Sequence, residues 1–254
     1  MSSGSDWHWH ARAFMARRRW AATRQRLAEW LQSLQHIPHP PDELLLLGGS
    51  AGWMMSPQFL AGFRRIVLVD IDPWAARLFR FNHGSTLRRH GVRLDFLHGD
   101  VHALLDEALA AQPQACVLFD NFLGLDSIYT RSLELTERRL RGLRKRLKGR
   151  LWGSVHDRLS GPGTRNWAGA ACWAQDWSAP SGQNLPDQAL FKSVQASGQW
   201  LDHHTEPVLP PGLQTRLIPW PIIPGRWHWL QAGWVDDRSG PPRLIGAKPG
   251  GSRT

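Results

Sequence analysis

Glu43-Leu44-Leu45-Leu46-Leu47-Gly48-Gly49-Ser50-Ala51-Gly52 joins an unbroken apolar run to a glycine-rich turn. A strand with one face in water alternates apolar and polar residues, so a short run without alternation predicts a strand covered on both faces, as in a parallel sheet. A helical stretch over 53–63 follows the turn. The pattern then repeats. A strand over 65–69 ends in Asp70-Ile71-Asp72-Pro73 before a helix over 74–90, and a strand over 92–97 ends in His98-Gly99-Asp100 before a helix over 101–111. A fourth strand, 115–119, ends in Asp120-Asn121-Phe122, and a fifth, 151–155, ends in His156-Asp157-Arg158. Strands alternating with helices predict an α/β fold built on a doubly wound, mostly parallel sheet. Polar residues close nearly every strand at its carboxyl end, where such sheets bind ligands.

The flanking segments read differently. A helix over 12–35 carries Ala16, Trp20, Thr23, Leu27, Trp30 and Leu34 at spacings of three and four, and Pro38 stops it. We expect residues 1–40 to form this basic amphipathic helix, 41–235 the main domain and 236–254 a disordered Gly/Pro/Arg-rich tail. Residues 159–198, rich in Gly, Pro, Ser and Trp, predict a long loop or lid inserted in the domain. Strands are expected over 200–209 and 226–235, separated by a Pro-rich excursion.

The chain has 254 residues, 42% of them hydrophobic, and no apolar run long enough to cross a bilayer. Without a secretory signal pattern, the expected location is the cytoplasm. Cys116 and Cys172 form no CxxC pair, which argues against a disulfide scaffold or a Cys-rich zinc site. His203-His204 and His8-x-His10 lack further ligands at useful spacing, so no metal is expected. The net charge of +10 is uneven: 41–130 holds seven basic and ten acidic residues, whereas 131–150 holds nine basic and two acidic. The excess sits mainly on the helix over 12–35 and on a second basic helix over 132–148. Those Arg-rich faces are candidate surfaces for nucleic acid, with a solvated outer face as the plain reading.

Asp70 lies 18 residues after Gly52 at a strand end, where a carboxylate can accept from two ribose hydroxyls. Asp100 can accept from an exocyclic amine of adenine, with Ile71 and Val101 on either side of the ring. At LLLLGGSAG (44–52), IVLVDIDP (66–73), FLHGDV (96–101) and VLFDNF (117–122) the chain resembles the class I S-adenosylmethionine-dependent methyltransferases, a Rossmann-like family of bacterial-type enzymes among others. The resemblance covers about 43–157 and implies a seven-stranded sheet whose final strand runs antiparallel. It implies S-adenosyl-L-methionine as cofactor, with Gly48, Gly49, Ser50 and Gly52 at its methionine and ribose, Asp70 at the ribose, Ile71, Asp100 and Val101 at the adenine, and Asp120 and Asn121 near the methyl group. Leu46 stands where the family carries an acid, and Ser50 where it carries a middle glycine.

The expected activity is methyl transfer to a small acceptor, aromatic ones included, with His156 as base, Asp157 orienting it, and Trp152, Trp167, Trp173 and Trp177 forming an apolar cover. Four alternatives stand beside it. RNA could be the acceptor, held by 12–35 and 132–148. An aminopropyltransferase shares the GG-x-x-G turn and the acid after the second strand. A methyltransferase fold could serve as a binding or scaffold subunit. Finally, Gly48-x-Ser50-x-Gly52 matches a nucleophile elbow, with Ser50, Asp120 and His156 in the chain order of a serine hydrolase.

Overall fold

The computed structural model describes residues 5–126, 130–182, 187–238 and 243–244. Helices α1 (Ser5–Met15) and α2 (Ala21–Gln32) precede β1 (Glu43–Leu47), α3 (Pro57–Ala61), β2 (Arg65–Asp70), α4 (Ala75–Arg89), β3 (Arg93–His98), α5 (Val101–Ala111) and β4 (Cys116–Asp120). Then come α6 (Leu133–Arg146), β5 (Leu151–Pro162), β6 (Trp177–Pro180), α7 (Asp187–Val194), β7 (Leu201–Asp202), β8 (Gln214–Ile223), β9 (Arg226–Asp236) and β10 (Arg243–Leu244). One mixed sheet joins the strands in the order β3-β2-β1-β4-β5-β9-β8-β6, with β7 against β5 and β10 against β9. The first five are parallel neighbours, and from β5 onward every pairing is antiparallel. Among the described residues the sheet thus has ten strands where seven were expected, and the strand antiparallel to β5, β9, lies inside the sheet with β8 beyond it.

Alternate residues of the central strands feed two cores. Leu44, Leu46, Ile66, Leu68, Cys116 and Leu118 pack on one face with Leu27, Leu31, Phe59 and Phe79. Leu45, Leu47, Val67, Val69, Val117 and Phe119 pack on the other with Leu105, Leu109, Leu140 and Leu143. Burial on both sides is what the unbroken apolar runs require.

Three readings outside this centre need correction. The helix expected over 12–35 is two helices, with turns between Met15 and Ala21 that set Arg19 and Trp20 onto β8. The Arg19 guanidinium donates to the Pro221 and Ile222 carbonyls, the Trp20 indole to Pro221, and the Thr23 hydroxyl to Pro219. That contact explains the second correction: the Pro-rich stretch read as an excursion is β8, and only 201–202 of the strand expected over 200–209 pairs. Beyond Leu217 the outer edge of β8 has lost β6 as partner. Proline is tolerated on an edge because no N–H is needed there, and helix side chains satisfy the exposed carbonyls. The third concerns 159–198, whose described residues form the end of β5, two short 3₁₀ turns, β6 and α7, with 183–186 outside the described residues. Its Leu159, Cys172, Leu190 and Val194 form a third core with Leu217, Trp227 and Trp229. Trp173 and Trp177 pack against that core, Trp152 is buried in the second, and Trp167 stays 38% exposed, so no common aromatic cover forms. Of the tail, Asp236 closes β9 and 243–244 pair with it, while 239–242 and 245–254 lie outside the described residues.

Trp30 and Trp234 stack with centroids 4.7 Å apart and planes 13° apart, joining α2 to β9. Gly153, paired with Trp234, makes room for that indole, because a Cβ there would lie 2.2 Å from its ring. Truncating a fully buried tryptophan costs about 3–5 kcal/mol. Trp234→Ala should lower the unfolding free energy in a denaturant titration by about that much; a loss below about 1 kcal/mol would contradict a structural role for this stack.

Candidate functional site

The sheet reverses direction of growth between β1 and β4: β2 and β3 are added on one side of β1, β4 and β5 on the other. Such a reversal opens a crevice at the carboxyl ends of the strands. The turn after β1 and the Asp120-Asn121-Phe122 segment after β4 meet there. Gly48 has φ +72°, and a Cβ on it would lie 2.7 Å from the Phe122 Cβ, so both conformation and space call for glycine. Beneath the turn, a Cβ on Gly49 would lie 2.7 Å from Leu46 and 2.8 Å from Leu68. Leu46 is therefore core under the turn and fully buried.

The turn is held from several directions. Gly48 N–H donates to the Val69 carbonyl, and Ser50 N–H, at φ +46°, donates to Asp70 Oδ2 (2.7 Å). From α4, the Asn82 amide donates to the Ala51 carbonyl (2.8 Å) and His83 Nε2–H to the Gly52 carbonyl (2.9 Å). Burial pushes the His83 pKa down, which keeps the ring neutral. Sequence reading missed Asn82 and His83; adjacent polar residues on the inner face of an otherwise apolar or Arg-rich helix were the available signal.

Asp70 is 8% exposed, and its other oxygen accepts from the Asp72 N–H (2.8 Å). Burial raises its pKa against the opposing effect of these two amides. The Asp72 carboxylate accepts from Trp74 N–H and, at 2.6 Å, from His10 Nε2 on α1. His10 Nδ1 in turn accepts from the Trp53 indole (3.0 Å). An indole nitrogen only donates, so the neutral ring carries its proton on Nε2, pointed at Asp72. Burial works to raise the Asp72 pKa, but the bonds from His10 and Trp74 outweigh it and the net shift is downward. Neither His10 nor Trp53 was singled out for this site from the sequence, because their contact spans 43 residues. A cleft of about 200 Å³ opens beside this acid pair, lined by Asp70, Asp72, Ala76, Phe96 and His98 among others.

Asp120 is 8% exposed, and burial together with the nearby Asp70 charge raises its pKa to about 7. Asn121 has φ +50° and its N–H donates to Val155, while its Oδ1 is buried with no partner among the described residues. Ile71 is 66% exposed, but Val101 is 3% exposed in the second core, so its side chain is not open to a ligand. Asp100 caps α5 by accepting from His102 N–H (2.9 Å).

His156 and Asp157 are not at a strand end as expected, because β5 continues to Pro162. His156 is fully buried, its Nδ1 bonded to the Ser154 hydroxyl (2.8 Å), and burial pushes its pKa down to about 3. A ring enclosed in this way cannot take a proton from a bound acceptor. The hydrolase arrangement fails for the same reason, since His156 is engaged by Ser154 and not by Ser50. Asp157 pairs with His228 instead (2.8 Å). His203, read from the sequence beside His204, lies with Asp157 and His228 in a cluster of ligand atoms within 4.8 Å of one another.

The basic helices are partly engaged in ordinary contacts. Arg26 pairs with Asp176, and Arg138, Arg141 and Arg146 pair with Glu134, Glu137 and Asp106. No helix among the described residues is long and apolar enough to cross a membrane.

No protein-family model and no curated protein sequence matches the chain. Solved structures to which it is similar include a protein assigned as an O-methyltransferase of Nostoc punctiforme, at 14% identity and a TM-score of 0.39 over 80% of this chain and 54% of that one. Another is a complex of the Haloferax volcanii Trm112 methyltransferase activator with its assigned methyltransferase, at 17% identity and a TM-score of 0.36 over 61% of each chain. A third is the glycopeptide N-methyltransferase MtfA with S-adenosyl-L-methionine, at 14% identity and a TM-score of 0.32 over 76% of this chain and 67% of that one.

The Asp120 shift makes folding depend on pH. The native state holds this proton more tightly than the unfolded chain, whose Asp titrates near 3.9, so its contribution to stability falls as pH rises from about 4 to about 7. His156, with a lowered pKa, gives the opposite slope at acid pH, so the comparison is variant against wild type. Asp120→Asn should gain stability relative to wild type as pH rises through that window, measured by urea unfolding at several pH values. A difference constant from pH 4 to 8 would contradict the raised pKa.

Proposed function

We propose that the protein is an S-adenosylmethionine-dependent methyltransferase acting on a small acceptor. The observation that carries the reading is the Gly48–Gly52 turn, locked against Asp70 at the point where strand order reverses and packed on the Asp120-Asn121-Phe122 strand end. The residues present fit this cofactor. Phe122, Leu46 with Leu68, and His83 fill the space where side chains on Gly48, Gly49 and Gly52 would lie, which fixes the backbone of the turn at the crevice. The buried Asn121 Oδ1 lacks a partner among the described residues, and exposed Ile71 offers an apolar surface beside Asp70.

Each Asp70 oxygen accepts one backbone N–H and retains a lone pair for a ribose hydroxyl. Ile71 would bear on one face of the adenine, and Asp100 keeps an acceptor for its amine beyond the α5 cap. When bound, the cofactor supplies a methyl group on a sulfonium, open to in-line displacement. The protein's part is then largely positioning. Where the acceptor must lose a proton, Asp120 replaces His156 as the group to take it, because its pKa lies near neutrality at this edge of the sheet. With three α6 arginines already paired to acidic partners, a small acceptor is favoured over RNA.

Isothermal titration with S-adenosylhomocysteine tests the reading. The wild type should bind one equivalent, and Asp70→Ala should weaken binding about 10- to 100-fold, the size of 1.5–3 kcal/mol for hydrogen bonds to a charged group. Absence of binding by the folded wild type, or equal affinity in Asp70→Ala, would overturn it.

A further inference from the structure

We propose that Asp157, His203 and His228 form a binding site for a divalent first-row transition-metal ion of the zinc or iron(II) class. Three parts of the chain build the cluster: β5, β9, and the segment after β7. It depends on an irregularity in β5. Asp157 pairs with Leu230 and Leu159 with Trp229, so Arg158 is an extra residue with no partner on β9. A bulge of this kind resets the alternation of side chains. Ser160 therefore pairs with His228 on the face that also carries Asp157 and Leu230. In a regular strand, residues three apart such as Asp157 and Ser160 would point to opposite faces.

His203 is 2% exposed, and its two nitrogens have different partners: Nδ1 lies 3.0 Å from the Gly124 carbonyl and Nε2 lies 2.9 Å from the Ser160 hydroxyl. A carbonyl only accepts, so Nδ1 carries the proton and Nε2 accepts from the Ser160 hydroxyl, which an ion bound at this nitrogen would displace. An imidazole with its far N–H on a backbone carbonyl is oriented and tautomer-fixed, as metal-ligating histidines generally are. Gly124 can come this close because it has no side chain; a Cβ there would lie 2.9 Å from the Asp157 Cβ.

One carboxylate and two imidazoles suit zinc or iron(II) and not magnesium or calcium, which prefer oxygen. The ligand atoms lie within 4.8 Å of one another, and ligands about 2.0–2.2 Å from a shared ion need only move somewhat closer. Within the cluster, His228 Nδ1–H bonds Asp157 Oδ1. On binding, His228 would coordinate through Nδ1 and carry its proton on Nε2, so the ring stays neutral while Asp157 supplies one negative charge. His228, with its side chain 13% exposed, is the member that reaches solvent. Three protein ligands leave coordination positions open, the arrangement of a reactive metal rather than a closed structural one.

The test uses the full-length protein, stripped with a chelator and titrated with cobalt(II), whose visible absorption reports its ligand field. One equivalent should bind with d–d bands of a nitrogen/oxygen site of low coordination, and zinc should displace it. His228→Ala and Asp157→Asn should each weaken binding about tenfold or more, since changes even to groups behind the ligands cost 10- to 100-fold. A titration in which these folded variants bind as tightly as wild type would place the ion on other histidines and overturn the proposal. Should either variant fail to fold by circular dichroism, the wild-type spectrum decides: no d–d bands at one equivalent would leave a purely hydrogen-bonded cluster. The readout needs neither S-adenosylmethionine nor an acceptor, so it succeeds or fails independently of the methyltransferase reading.

Discussion

The close approach of the Gly48–Gly52 backbone to its surroundings is the constraint on which the site depends. Gly48 packs on Phe122, Gly49 on Leu46 and Leu68, and Gly52 on His83, so the turn touches both neighbouring strand ends and α4. Its amides and carbonyls are then fixed by Asp70, Asn82 and His83. Buried backbone groups must find partners, and here the partners are residues that also shape the crevice. Asp70 thus has two roles. It ties β1 to β2 through the Ser50 amide, and its charge adds to the burial that raises the Asp120 pKa to about 7.

The N-terminal helices complete the same region from outside. His10 joins Asp72 to Trp53, while Arg19, Trp20 and Thr23 cover the open carbonyls of β8. Several of the 15 tryptophans meet at this joint. Trp9, Trp20 and Trp220 form a contact cluster, and Trp30 stacks on Trp234. Large, flat side chains suit the gap between helices and a twisted sheet because each buries much apolar area with few rotatable bonds. Arg19, between α1 and α2, likewise serves attachment to the sheet.

What the sequence disclosed, and what it withheld, follows from the range of the interactions. Strands β1, β2 and β4 were legible because burial on both faces leaves an unbroken apolar run, and Asp70 and Asp120 because the ends of such strands are fixed by the same runs; the edge strand β3, half-exposed and carrying Asp95, was marked with Asp100 by its place between two helical patterns. The antiparallel half was not. Pro219 and Pro221 in β8 argue against a strand unless the helix side chains capping its edge are known, and those lie about 200 residues away. His156 was misplaced since Leu151-Trp152-Gly153-Ser154-Val155 looks complete as a strand, whereas pairing with β9 carries β5 on to Pro162. The grouping of Asp157, His203 and His228 depends on the bulge at Arg158, and no local pattern announces it.

A crystal structure of the protein soaked with S-adenosylhomocysteine tests the central claim most directly. The account predicts the ribose hydroxyls on the Asp70 carboxylate, the adenine against Ile71, and the sulfur facing the Asp120-Asn121 strand end. Ligand density elsewhere on the molecule, or a ligand that leaves Asp70 and the 48–52 turn untouched, would contradict it.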